Sequence, residues 1–380
     1  MKMRNKKILI TGCCGTVGRE LVRQVLMGDY GPAEVVGLDN NESELFFIDQ
    51  KYIADTRASF FMADNRDEQA LTQLFKGVDI VFHTAAFKHV VLCERSPMEA
   101  IQTNIHGVQN VISAARENNV GKVIFTSSDK AVNPTSVMGT TKLMGERLIT
   151  AANSNSKDGN TIFASTRFGN VLGSNGSVIP IFKNQIKAGG PVTITDPEMT
   201  RFIMTIEQAA ELVIDSAGLA KGGEVLITKM PVISIMDLAK VMIELLAPAY
   251  GHDADKIKIE TVGCKPGEKL YEELMSDEET RRAVELERYF SVLPAYRGIY
   301  REIEYSYPDF TSDIVDNPYN SSVEANMSMM ELRAYLLRNG LLAEEGIELP
   351  TERYWPGDKE ENRTESSKKM NLAAKEITSV

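Results

Sequence analysis

A doubly wound α/β fold is what this sequence predicts, with a parallel sheet covered on both faces and a smaller second lobe partly interleaved with it. Three observations carry the prediction. Through the first 170 residues, short β-branched runs alternate with longer helical patterns, and such alternation builds a parallel sheet because each crossover helix packs back onto it. A glycine-rich turn stands between the first strand run and the first helical run. After Asn170 the alternation loosens, with Gly- and Pro-containing turns at 173–176, 189–191 and 196–197.

The candidate strands are residues 7–11, 34–39, 59–63, 79–83, 122–127 and 161–167. Helical periodicity marks 17–27, 97–117 and 138–152 between them, and resumes at 206–217 and 234–246. The first lobe is expected over 1–170, with 203–230 returning to it, and the second, substrate-gripping lobe over 171–202 and 231–350. Residues 357–380 are charged, rich in Ser, Lys and Glu, and lack an apolar period, so they read as a disordered tail.

The chain of 380 residues is 43% hydrophobic and 25% charged, ample for a large core. Its net charge of −11 leaves no basic surplus to neutralise phosphates, which excludes a general nucleic-acid binder. A few local cations still suffice for a small anionic substrate. No apolar run reaches 18 residues and the N-terminus runs straight into a strand, so no membrane span is expected and the cytosol is the expected compartment. Cys13, Cys14, Cys93 and Cys264 lack CxxC spacing and the four histidines lack an HxxxH pair, so neither a disulfide framework nor a metal site is expected.

The turn Thr11-Gly12-Cys13-Cys14-Gly15-Thr16-Val17-Gly18 has the strand–turn–helix context of a dinucleotide site. Gly12, Gly15 and Gly18 permit a tight turn and close approach of backbone to a pyrophosphate, while the helix beginning near Thr16 and Val17 supplies amide donors and a positive dipole. Asp39 ends the next strand twenty-one positions after Gly18, placed to accept both ribose hydroxyls of NAD and to repel a 2′-phosphate. No Arg or Lys lies between Asp39 and Lys51 to welcome that phosphate, so NAD is favoured over NADP. Asp64, followed by Asn65, is placed to reach the adenine amino group.

The spacing G-x-x-G-x-x-G resembles the extended short-chain dehydrogenase/reductase family, whose nucleotide domain is Rossmann-type. His83-Thr84-Ala85-Ala86 looks like that family's turn beside the nicotinamide ribose, and Thr103-Asn104-Ile105-His106-Gly107 like its Asn-containing helix. A narrower resemblance rests on Phe87-Lys88-His89-Val90, Ser127-Ser128-Asp129-Lys130-Ala131-Val132-Asn133-Pro134 and Met138-Gly139-Thr140-Thr141-Lys142. It extends through Arg167-Phe168-Gly169-Asn170-Val171-Leu172-Gly173-Ser174, Met199-Thr200-Arg201-Phe202 and Lys265-Pro266-Gly267-Glu268-Lys269-Leu270. Together these resemble the bacterial UDP-N-acetylglucosamine 4,6-dehydratases of the polysaccharide-biosynthesis branch, over about residues 6 to 340.

That resemblance implies a tightly bound, recycled NAD and loss of water across C5 and C6 of an activated sugar. Asp129 is implied as the acid at the departing hydroxyl and Lys130 as the base at C5, two groups with opposite protonation needs. Lys142 stands four residues after Met138, where the short-chain dehydrogenase signature has Tyr. A thioether accepts no proton, so Ser128 is read as positioning a water or relay, with Lys142 or Asp129 as acceptor. The Met-bearing relatives retain the C5 configuration, which is the expectation here. The resemblance further implies substrate contacts from Lys88, His89, Asn170, Val178, Arg201, Lys265 and Glu268. Lys265 stands where the family commonly has Arg, keeping the charge without the bidentate fork. A homodimer or higher homo-oligomer is expected by the same resemblance. A C5-inverting dehydratase, an epimerase on the same scaffold, a GDP-sugar substrate and a non-catalytic NAD-binding protein stay open as alternatives.

Overall fold

Strand β1 (Lys7–Thr11) sends Ile8 and Ile10 to one face and Leu9 to the other, and both faces are buried, as a strand covered on both sides requires. The computed structural model describes residues 3–154, 161–174, 177–263, 267–296 and 303–343. Along the first lobe, α1 (Thr16–Met27), β2 (Glu34–Asp39), α2 (Glu42–Tyr52), β3 (Ala58–Met62), α3 (Glu68–Leu74) and β4 (Ile80–His83) follow β1. Next come α4 (Val90–Arg95), α5 (Pro97–Ile101), α6 (Gly107–Glu117), β5 (Lys122–Ser128), α7 (Val137–Ser154) and β6 (Ile162–Phe168). The chain continues as β7 (Asn170–Val171), α8 (Val178–Lys187), β8 (Val192–Ile194), β9 (Thr200–Met204), α9 (Ile206–Leu219), β10 (Val225–Thr228), β11 (Val232–Ser234) and α10 (Ile235–Leu246). It closes with β12 (Ile259–Thr261), α11 (Asp277–Thr280), β13 (Ala283–Leu286), β14 (Tyr289–Val292), β15 (Phe310–Ser312) and α12 (Met329–Arg338).

A ten-stranded sheet runs in the order β15-β13-β14-β10-β6-β5-β4-β1-β2-β3. From β10 to β3 every neighbour is parallel, and β14, β13 and β15 add on antiparallel. Strand β10 thus joins the main sheet beside β6, while α9 covers it with Ala210, Val213 and Ile214 packed against α1 residues Leu21 and Val25. Strands β13, β14 and β15, in the stretch grouped by sequence with the second lobe, extend the main sheet instead, because β14 pairs with β10 rather than with the small sheets. The opposite face is closed by α3, α6 and α7 through Leu71, Val111 and Ile149. The second lobe is built on β11-β9-β7 and β12-β8, with a core of Ile179 and Phe182 from α8, Leu238 and Met242 from α10, and Leu332 and Leu336 from α12.

The helix expected over 97–117 forms, but it is not α-helical throughout. Between α5 and α6, Gln102–His106 form a π-helical turn, an insertion that widens the helix by one residue and turns Asn104 inward. Deep between the elements, the fully buried Arg167 of β6 reaches Glu146 of α7 at 2.6 Å and Glu279 of α11 at 2.8 Å.

The strand order reverses between β1 and β4, so the carboxyl ends of those strands open a crevice, the usual ligand position in open α/β sheets. No helix among the described residues is long and apolar enough to cross a membrane.

Candidate active site

The crevice holds three adjoining cavities of about 770, 870 and 490 Å³. The first is lined by Gly12, Gly15, Thr16, Asp39, Asn65, Ala85 and Ala86. Gly12 and Cys13 donate to the Leu38 carbonyl at 2.7 and 3.1 Å, which ties the turn to the end of β2. A Cβ on Gly18 would lie 2.1 Å from the Gly12 carbonyl oxygen, so only glycine lets α1 begin this close to the turn. Helix α1 has no acidic residue in its first turn, leaving its positive end uncompensated. The Asp39 carboxylate is oriented by the Cys14 amide at 2.9 Å and the Asn41 amide at 3.0 Å. These features fit an NAD pyrophosphate at the turn and a ribose at Asp39.

The same turn brings the Cys13 and Cys14 sulfurs and an Asp39 oxygen within 4.8 Å of one another, a grouping the cysteine spacing did not suggest. Contact with Cys14, together with burial, drives the Cys13 thiol far above its ordinary value, and a thiol held protonated is a poor metal ligand. Asp64 does not line the cavity. Its carboxylate is clasped by Arg66, with Nη2 at 2.7 Å, because the sequence Asp64-Asn65-Arg66 turns the guanidinium back onto it.

The second cavity carries Val17, Gly18, Lys88, Ser128, Met138 and Lys142 on its wall. Asn104 in the π turn clamps the loop above: its Oδ1 accepts from the Phe87 amide at 2.8 Å and its Nδ2 donates to the Phe87 carbonyl at 3.0 Å. Beneath, the buried imidazole of His83 meets Thr11 Oγ1 at 2.7 Å. Burial, assisted by the Lys142 charge, lowers its pKa to about 3, so it stays neutral. Lys142 donates to the Thr126 carbonyl at 3.0 Å, and burial depresses its pKa to about 8. Met138, one turn earlier, is 3% exposed and packs with Cys93 and Ala100.

Strand β5 ends at Ser128 and passes into a short 3₁₀ turn, Asp129–Ala131. Helix α7 lies close against this turn, since a Cβ on Gly139 would be 2.2 Å from the Lys130 carbonyl oxygen. Asp129 is wholly buried and lies behind the cavity wall formed by Ser128 and Lys130. Its Oδ1 accepts from Ser128 Oγ at 2.6 Å, the Lys130 amide at 2.8 Å and Lys130 Nζ at 3.0 Å. Its Oδ2 is buried without a hydrogen-bond partner among the described residues.

The third cavity adds His89, Asn170, Arg201 and Glu268 to Lys130. The guanidinium of Arg201 donates to the carbonyls of Thr200 at 2.7 Å, Lys269 at 2.8 Å and Leu270 at 3.1 Å, so it is anchored by main chain. The Nδ2 of Asn170, which borders the second and third cavities, is buried and unpartnered among the described residues. Val178 instead opens α8 and packs toward the second-lobe core. Lys265 and the tail over 357–380 lie outside the described residues.

One residue of the site was not read from the sequence. Glu272, 3% exposed, stands 3.4 Å from Lys130 Nζ and 3.6 Å from Arg201 Nε through the same Oε1. Its only signal was its place two residues after the Lys265–Leu270 motif.

A model of the family described as polysaccharide biosynthesis protein matches residues 8–294. The chain belongs to that family. It is 39% identical to the UDP-N-acetylglucosamine 4,6-dehydratase (inverting) of Campylobacter jejuni, over 80% of this chain and 88% of that protein. To the UDP-glucose 4-epimerase of Rickettsia akari it is 38% identical, over 76% of this chain and 83% of the relative. Among solved structures it resembles Pen from Bacillus thuringiensis, with a TM-score of 0.83 and 41% identity over 90% of this chain and all of the other. This member of the family therefore has the extended short-chain dehydrogenase/reductase architecture, and its relatives include nucleotide-sugar dehydratases and epimerases.

Proposed function

We propose that this chain is an NAD-dependent 4,6-dehydratase of a UDP-N-acetylhexosamine, with the configuration at C5 retained. The observation that supports it most is the Asp129–Lys130 pair, a carboxylate and an ammonium 3.0 Å apart at the cavity beside Lys142. An epimerase that only oxidises and re-reduces C4 has less use for such a pair. Gly12, Gly15 and Thr16 would hold the cofactor pyrophosphate, Asp39 its adenosine ribose, and Ala85, Ala86 and Lys142 the nicotinamide side. Held there, the cofactor would supply hydride-accepting and hydride-returning chemistry at the sugar, between C4 and C6.

The protein's own groups move the protons. Because Asp129 is buried behind the wall, its exchange with the sugar runs through Ser128 Oγ, which is 2.6 Å away. Ser128 accepts the C4 hydroxyl proton as its own passes to Asp129, and the reverse transfer delivers that proton to the C6 hydroxyl, which departs as water. Lys130, as free amine, takes the C5 proton that the 4-ketone has acidified and later returns it to the same face. The books of atoms close: the water is the C6 hydroxyl plus the C4 hydroxyl proton. Lys88, Asn170, Arg201 and Glu268 are assigned to the nucleotide diphosphate and sugar. Retention rests on Met138, whereas the Campylobacter relative is named as inverting.

The test is incubation of the purified protein with UDP-N-acetylglucosamine and no added nucleotide, followed by mass spectrometry and proton NMR. Loss of one water with a new C6 methyl signal is expected, and the C5 coupling reports retention. An unchanged mass with altered configuration would establish the epimerase favoured by the Rickettsia relative. No reaction would direct the same assay to the GDP-linked sugar.

A further inference from the structure

We infer that Glu272 is the acceptor to which Lys130 hands its proton so that it can act at C5. The inference rests on the dehydratase reading above. Lys130 sits between the carboxylates of Asp129 at 3.0 Å and Glu272 at 3.4 Å. Burial lowers its proton affinity, but those two charges outweigh it and hold Lys130 above the ordinary lysine value. It therefore rests as an ammonium, and an ammonium cannot take a proton from carbon.

Among the described residues, the charged groups facing it are Asp129 beside it, Glu272 from the segment after β12, and Arg201 from β9. Arg201 accepts nothing. Asp129 is taken by the C4 hydroxyl proton relayed through Ser128. Glu272 is what remains. One N–H bond of Lys130 breaks and an O–H bond forms on Glu272, leaving a free amine beside a neutral acid. After the C5 proton has come and gone, the transfer reverses.

The surroundings of Glu272 suit this. Its main chain is pinned to Ser321, with N–H to Oγ at 2.9 Å and its carbonyl accepting from the Ser321 amide at 2.9 Å. Its Oε2 is buried with no partner among the described residues. Burial, and then the Asp129 charge, raise its proton affinity against the opposing pull of Lys130 and Arg201. Glu272 acts through Lys130, so it is a positioning residue in the reaction.

The experiment compares wild type, Glu272→Gln and Glu272→Asp, each as purified holoenzyme with UDP-N-acetylglucosamine across a pH series. Product, near-ultraviolet absorbance of reduced nicotinamide, and solvent deuterium entering at C5 are all followed. For Glu272→Gln, kcat at neutral pH should fall about 100-fold, while reduced nicotinamide accumulates because C4 oxidation precedes the blocked step. Deuterium entry should slow in parallel, and activity should recover as rising pH lets solvent take the Lys130 proton. Glu272→Asp should stay within about tenfold of wild type. A Glu272→Gln profile equal to wild type would overturn the inference, as would Glu272→Asp failing as badly as Glu272→Gln. A wild type that removes no water would instead sink the dehydratase reading itself, and this inference with it.

Discussion

Lys142 Nζ donates to the Thr126 carbonyl oxygen at 3.0 Å while lying 4.9 Å from the centre of the Phe125 ring. The ammonium is thus held at the carboxyl end of β5 by one main-chain acceptor and an aromatic face, both belonging to the strand that also carries Ser128.

The first prediction follows from the cost of that arrangement. Burial depresses Lys142 from 10.5 to about 8, which at ~1.4 kcal/mol per unit is a penalty of about 3 kcal/mol for the charged form. The penalty is complete below about pH 8, shrinks as pH rises toward 10.5 and vanishes above it. Lys142→Met should therefore stabilise the cofactor-free protein at pH 7 by up to about 3 kcal/mol, and by little at pH 10.5, while turnover falls about 100-fold. Urea unfolding at the two pH values checks it; a variant no more stable than wild type at pH 7 would refute it.

Met138 lies 3% exposed against Cys93 and Ala100, and a thioether moves no proton. Met138→Leu keeps volume and apolar character, so it should cost under about 1.5 kcal/mol and leave turnover within about threefold of wild type with the same pH profile. A hundredfold loss of kcat would mean that the sulfur itself takes part.

Asp39 accepts from the Cys14 and Asn41 amides and would accept both ribose hydroxyls. Its replacement by Ala removes charged hydrogen bonds worth about 1.5–3 kcal/mol each. NAD affinity should fall at least about 100-fold, so the variant should purify without cofactor. Quantifying nucleotide released from denatured protein decides the point, and full NAD occupancy would contradict it.

Arg167, 1% exposed, pairs with Glu146 and Glu279 at once. Removing one partner of a buried ion pair strands the others, so Arg167→Met should cost about 3–5 kcal/mol. Burial raises Glu279 but Arg167 more than offsets it, holding the carboxyl at about 2. That stabilisation is present above about pH 4.5 and is lost as pH falls toward 2. The loss of stability across that window should therefore be steeper in wild type than in Arg167→Met. Denaturation at pH 5 and pH 3 measures it, and parallel losses would count against the triad.

Much of this architecture was legible because local chemistry dictated it. Strand bounds read from β-branched runs fall within one residue of β1 to β6, and the glycine turn announced both its helix and Asp39. What escaped was non-local. The π turn at Gln102–His106 inserts one residue into an otherwise regular apolar period, and periodicity passes over it. The spacing places Asp64 within reach of an adenine amino group, and nothing in it shows Arg66 folding back onto that carboxylate. Glu272 faces Lys130 across 142 residues of sequence. The Asp129–Lys130 pair was visible as neighbours, whereas Asp129 standing behind Ser128, out of direct reach of the cavity, depends on the bend at the end of β5.

The sheet runs without interruption from β3 to β15. Strands β13 and β14 lead directly out of α11, and β14 is laced to β10 by a full antiparallel ladder. A hinge between the strand end bearing Lys130 and the segment bearing Glu272 would have to tear that ladder. Their separation is therefore set when the chain folds, before any sugar arrives. Such a site needs little rearrangement at the moment of proton transfer.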